Sequence, residues 1–197
     1  PMEFPAATLF GLLFMTMGPI RAVAIFATVG TDDKAPGVRR LATRAALLTA
    51  LAFVLAVYGG TGTLASWEVS LPVLIGSAGV VLLALSLQSL LVPAAQSPTL
   101  LDPQKLRPTT LVFPGLFPPI AVTIPIIFAA AVPNTGAQLE IIAIGLGIIL
   151  LNWLLMLRSK WLMRKMGSSP LEIMGAVFGV LQVALAMQFI VNAVKML

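Results

Sequence analysis

Two proline-bearing breaks inside apolar segments are the stretches of this sequence best suited to chemistry. The first is Gly18-Pro19-Ile20-Arg21; the second is Pro118-Pro119-Ile120-Ala121, with Thr123 one turn along. Proline removes a backbone donor and clashes with the preceding turn, and glycine loosens that turn further. Without water nearby, the freed carbonyls must find partners inside the protein. A half-helix starting at Pro19 would aim its N-terminal amides inward, where they favour negative charge. Arg21 would add a forked, permanently charged donor suited to a carboxylate or phosphate. A second half-helix from Pro119 would face the first, making an anion-accepting pocket. A plainer reading fits the same residues: both prolines kink helices for packing, and Arg21 snorkels to the interface.

Three amide side chains lie deep enough in apolar segments to join such a pocket: Gln88, Gln188 and Asn152. They could bond a substrate or a coupling ion, or simply bridge helices. Gln182 and Asn192 are weaker candidates. Other chemistry is scarce. With no histidine and no cysteine, the commonest general base and metal ligand is missing, and thiolate chemistry and disulfides are excluded. No metal site and no enzyme activity is expected. The chain has no phosphate-binding glycine motif, so ATP coupling is not encoded and no cofactor is implied. The choice between Na+ and H+ as a coupling ion stays open. Ser169-Pro170-Leu171-Glu172 reads as a capping box, and Asp32 and Asp33 read as solvated turn residues.

The elements that must position these residues are membrane helices. Of 197 residues, 59% are apolar and 10% charged, with mean hydropathy +1.03; soluble domains carry about 25% charged residues. Six spans are expected, near 6–29, 41–64, 72–92, 109–132, 139–163 and 171–194, each close to the ~20 residues a bilayer requires. The first has no preceding Lys or Arg and is too long for a signal peptide. Gly59-Gly60-Thr61-Gly62 is expected to end the second helix, and Pro133-Asn134-Thr135-Gly136 to form a turn. Lys34, Arg39, Arg40 and Arg44 follow span one; Lys105 and Arg107 follow span three; Arg158, Lys160, Arg164 and Lys165 follow span five. The alternate loops carry none. By the positive-inside rule the basic loops are cytoplasmic and both termini lie outside the inner membrane. Topology accounts for these cations, so the lipid bilayer is the partner they indicate and nucleic acid is not. Trp67 and Trp161 read as interfacial anchors, and Trp153 as packed.

A shift of one hundred residues aligns Pro19-Ile20 with Pro119-Ile120, Gly79-Val80 with Gly179-Val180, Ala84-Leu85 with Ala184-Leu185, and Gln88 with Gln188. The expected organisation is a three-helix repeat over 1–92, a cytoplasmic linker at 93–108, and a second repeat over 109–197. Three helices is an odd number, so the second repeat must insert inverted. The expected fold is therefore an all-α polytopic membrane protein of six transmembrane helices, in two inverted repeats with helices one and four broken.

The whole chain resembles the MarC-type family of integral membrane proteins, named for multiple antibiotic resistance and including neutral amino-acid transporters. The resemblance rests on Pro19-Ile20, Ser70-Leu71-Pro72 with Gly76 and Gly79, Phe113-Pro114, Pro119, Ile173-Met174-Gly175 and Gln188-Phe189-Ile190. It is similar to a divergent member. Gly18 stands where the family has Asn, Arg21-Ala22 where it has Gly-Asn, and Phe117-Pro118-Pro119-Ile120-Ala121 replaces a glycine-rich motif. The resemblance implies a secondary-transporter-like protein moving a small polar or anionic metabolite, such as small neutral amino acids. The alternatives are a non-transporting membrane scaffold or partner subunit, and a membrane-embedded enzyme, disfavoured by the missing His and Cys. Gly175 and Gly179 form a Gly-x-x-x-Gly, which permits close helix contact within the protomer or in a homo-oligomer.

Overall fold

An apolar setting offers backbone amides no water, and a helix satisfies them within one segment. The computed structural model describes residues 6–29, 34, 36–91, 107–131, 134–167 and 169–197. Over these residues the chain is almost entirely helical, broken only by short turns and connections. α1 (Ala6–Met17) and α2 (Pro19–Ala27) flank the first break; α3 (Pro36–Ser66) and α4 (Leu71–Leu91) complete the first half. α5 (Pro108–Leu111), a π turn (Val112–Leu116) and α6 (Pro119–Ala131) form the second broken stretch. α7 (Thr135–Met156), α8 (Ser159–Met166) and α9 (Ser169–Lys195) follow. Asp32, Asp33 and nearly all of the expected linker at 93–108 lie outside the described residues.

Five helical stretches are long and apolar enough to cross a membrane: Ala6–Ala27, Pro36–Ser66, Leu71–Gln88, Thr135–Met156 and Glu172–Lys195. The fourth expected span, near 109–132, appears instead as the shorter apolar helix Pro119–Ala131 behind its π turn.

Two boundaries differ from expectation. Gly59-Gly60-Thr61-Gly62 does not end α3, which runs 31 residues to Ser66. The glycines are bridged by hydroxyls that bond one turn back: Thr63 Oγ1 donates to the Gly59 carbonyl at 2.8 Å and Ser66 Oγ to that of Gly62 at 2.9 Å. Gly60 also lets Ile126 of α6 close in, since a Cβ there would come 2.5 Å from its Cδ1. The fifth expected helix stops early, at Met156, because Arg158 leaves helical geometry (φ −129°, ψ 17°) and α8 begins anew. At the other end of α7, Asn134 caps the helix, its Oδ1 accepting from Ala137 N–H at 2.7 Å.

α4 and α9 share the most extensive interface, followed by α3 and α7. Most contacts between the halves come in pairs. α2 packs on α7 as α6 does on α3; α1 packs on α7 as α5 and the π turn do on α3; α2 touches α9 as α6 touches α4. Glycines set the closest approach between α4 and α9. A Cβ at Gly79 would lie 2.8 Å from Ile190 Cγ1, and one at Gly179 would lie 2.9 Å from Leu90 Cδ2. Gly179 is therefore spent inside the chain, one of the two uses the Gly-x-x-x-Gly left open; Gly175 faces open space.

Candidate functional site

The first break is built by Gly18 and Pro19. Gly18 (φ −81°, ψ −175°) turns the chain out of α1, and a Cβ on it would overlap the carbonyl oxygen of Phe14. Pro19 then opens α2. In an unbroken helix the N–H of residue 19 would bond the Met15 carbonyl and that of Arg21 the Met17 carbonyl. Proline lacks the first donor and the break removes the second. Both vacated carbonyls are taken up by amide side chains from distant helices. Gln182 Nε2 on α9 donates to Met15 at 2.9 Å, and Asn152 Nδ2 on α7 donates to Met17 at 2.6 Å. α2 starts its own ladder only at Ala22, whose N–H bonds the Gly18 carbonyl at 3.4 Å. The amides of Ile20 and Arg21 precede that ladder, at the positive end of the α2 dipole.

Asn152 carries a second feature. It is buried at 4% exposure, and its Oδ1 has no hydrogen-bond partner. Leaving a buried acceptor unpaired costs about 1–3 kcal/mol. The side chain cannot simply rotate by half a turn, because its amide nitrogen is held by Met17. A buried acceptor thus sits within an amide group's width of the break.

The second break is sealed differently. Phe113 departs from helical geometry (φ −115°, ψ 124°) inside the π turn. Phe117 N–H reaches back to the Val112 carbonyl at 2.8 Å, and Ala121 N–H bonds the Pro118 carbonyl at 2.9 Å. Among the described residues no asparagine or glutamine side chain bonds this stretch. Aromatic rings fill it. Phe117 is buried, with Phe53 of α3 at 6.1 Å and Phe113 at 5.6 Å between ring centres. The Phe53 ring in turn lies on Gly145 of α7, where any Cβ would collide with it. Phe117 stands one hundred residues after Met17, and Phe53 stands ninety-nine before Asn152. An amide closes the first break where rings close the second.

The two broken stretches touch: α1 packs on α6, and α2 on the π turn. Ile25 of α2 would lie 3.2 Å from a Cβ at Gly115. Of the expected site residues, Gly18, Pro19, Pro118, Ile120, Ala121 and Asn152 are buried in this junction, with Ile20 half-buried. Thr123 spends its hydroxyl on the Pro119 carbonyl of its own helix at 3.0 Å, and Pro119 itself is exposed.

Three candidates go elsewhere. Arg21 is exposed, with Ala24, on the face of α2 opposite the buried Ala22, Val23 and Phe26. No described residue hydrogen-bonds or ion-pairs with it, and it lies off the buried face of α2. Gln88 is exposed on α4, and Gln188, also exposed, donates to Asn192 Oδ1 one turn along α9 at 2.7 Å. Gln182, weakly favoured from sequence, is the amide that reaches the break. The signal was available: Pro19 orphans the Met15 carbonyl, so some other helix had to supply a donor.

The basic segments gather at one end. Trp153 Nε1 near the end of α7 donates to Thr43 Oγ1 near the start of α3 at 3.1 Å, and Lys160 Nζ on α8 reaches the Ala27 carbonyl at the end of α2 at 3.4 Å. These bonds bring Arg39, Arg40 and Arg44 to the same end of the molecule as Arg158, Arg164 and Lys165. Among the described residues no cluster of acids could hold a metal ion.

No curated protein and no solved structure matches the chain. A family model described as "MarC family integral membrane protein" matches residues 5–197. That span takes in both breaks, both amide donors and every described helix: the chain belongs to the MarC family of integral membrane proteins.

Proposed function

We propose that this protein is a secondary transporter for a small polar metabolite, with its binding site at the Gly18–Pro19 break. The observation that carries this reading is the buried, unpartnered Oδ1 of Asn152. It offers an acceptor to a ligand's donor group. The leading amides of α2 offer donors to a ligand's negative end. A small zwitterion such as a neutral amino acid has both, and the MarC-type resemblance points to the same class.

Six spans in two inverted repeats give the site its mechanism. Pro19 and Pro119 each begin a half-helix, one hundred residues apart, and the paired contacts between halves are those an approximate two-fold axis would generate. Transporters of this plan bind substrate between broken helices near the midplane and alternate by rocking one repeat against the other. The basic end, by the positive-inside rule, is cytoplasmic. Arg21, on the outer face of α2, serves here as a snorkelling anchor and not as a ligand.

Uptake of radiolabelled glycine, alanine and serine into proteoliposomes tests the reading. Flux of at least one, reduced roughly tenfold by Asn152→Leu and little changed by Arg21→Lys, is expected from losing a hydrogen bond worth about 1.5 kcal/mol at the ligand. Absence of flux for all small amino acids and organic anions would leave the scaffold reading in place.

A further inference from the structure

We propose that α8 is an anionic-lipid headgroup site on the basic side of the membrane. α8 follows the end of α7 after a two-residue turn, Leu157–Arg158. At 100° per residue, Ser159, Leu162 and Met163 fall on one face, buried or half-buried, and α8 packs on α2. Arg158, just before the helix, and Arg164 and Lys165, in its last turn, are exposed. Lys160 leans the other way, onto the C-terminal carbonyl of α2. Gly167, at φ +74°, ends the helix, its N–H closing on the Met163 carbonyl at 2.8 Å.

Between 157 and 167 there is no acidic residue, and no described carboxylate pairs with Arg158, Arg164 or Lys165. Arg158, just before α8, and Arg164 and Lys165, in its last turn, thus stand beside the end of a membrane span with no carboxylate partner among the described residues. A cluster of this kind, immediately next to a span, attracts anionic lipid, and each cation adds to the attraction. Trp161 fixes the depth. Its ring is half exposed, and Lys165 Nζ stands 5.2 Å from the ring centre. A large, half-exposed indole beside cations suits the headgroup layer, where the ring meets acyl chains while the ammonium meets phosphate. Bulk water would suit neither the ring nor Met166, which is 43% exposed at the end of the helix. The occupant is therefore a phospholipid with net negative charge, its phosphate held by Arg158, Arg164 and Lys165.

The site can be tested by reconstituting the full chain into phosphatidylcholine vesicles containing a minority of phosphatidylglycerol, with one lipid or the other brominated. The difference between the unsubstituted protein and Trp161→Phe isolates Trp161 fluorescence. Brominated phosphatidylglycerol is expected to quench it about threefold more strongly than the same fraction of brominated phosphatidylcholine. The preference should shrink in high salt and vanish in Arg158→Gln/Arg164→Gln/Lys165→Gln. If that triple variant does not fold, Arg164→Gln alone should lose part of the preference. Equal quenching by both lipids, no quenching by either, or a preference that survives the substitutions would overturn the assignment.

Discussion

Asn152 does two things with one amide. Its nitrogen closes the Met17 carbonyl and its oxygen stays open. These functions separate by substitution. Asn152→Leu removes both, leaving a buried carbonyl unpaired at a cost of about 1–3 kcal/mol. Gln182→Leu removes only a structural donor, from Met15. Both variants should lower thermal stability by comparable amounts, read by scanning fluorimetry in detergent. Only Asn152→Leu should abolish a ligand-induced shift; equal loss in both would make the amides a matched pair of staples. Gly18 is constrained more simply. Gly18→Ala forces a methyl against the Phe14 carbonyl, and overpacking of this kind costs about 1–3 kcal/mol. A lowered melting temperature is expected, and an unchanged one would mean the break relaxes freely.

The helices show how far the sequence could be read. Both prolines were legible as half-helix starts, since Pro19 and Pro119 sit where the ring's fixed φ and missing donor cost least. The end of α3 was not legible, because Gly59, Gly60 and Gly62 look like punctuation until Thr63 and Ser66 are seen bonding across them. The division of α7 from α8 was hidden as well. Leu162 and Met163 extend the apolar run, and only the phase of Arg158, Arg164 and Lys165 marks a second helix with a different buried face. Arg21 misled because depth in a span was readable but helical phase relative to a neighbour was not. At this scale the α4–α9 interface makes the clearest prediction. Gly79→Leu and Gly179→Leu should each lower stability, since Ile190 and Leu90 already occupy the space, while the oligomeric state by light scattering stays as it was. A change of oligomeric state without loss of stability would return Gly179 to a surface between protomers.

The molecule as a whole is read as two inverted halves, and its orientation can be checked without preparation. The chain has no native cysteine, so each introduced thiol reports alone. Arg40→Cys and Lys165→Cys should label with impermeant maleimide only from the cytoplasmic side, and Glu68→Cys and Leu197→Cys only from the opposite side. Glu68 and Leu197 labelling from different sides would break the six-span plan. On the proposed reading the amide-sealed first break and the ring-sealed second break divide the work: one would offer hydrogen bonds to a ligand, the other an apolar packing surface. The central claim is that Asn152 Oδ1 receives the ligand. Its most direct measurement is the melting temperature of purified protein against a panel of small amino acids, for the unsubstituted chain and for Asn152→Leu. A ligand at one hundred times its Kd stabilises by about 2.7 kcal/mol. At least one amino acid should raise the melting temperature of the unsubstituted chain, and none should raise that of folded Asn152→Leu. An undiminished shift in Asn152→Leu would contradict the claim.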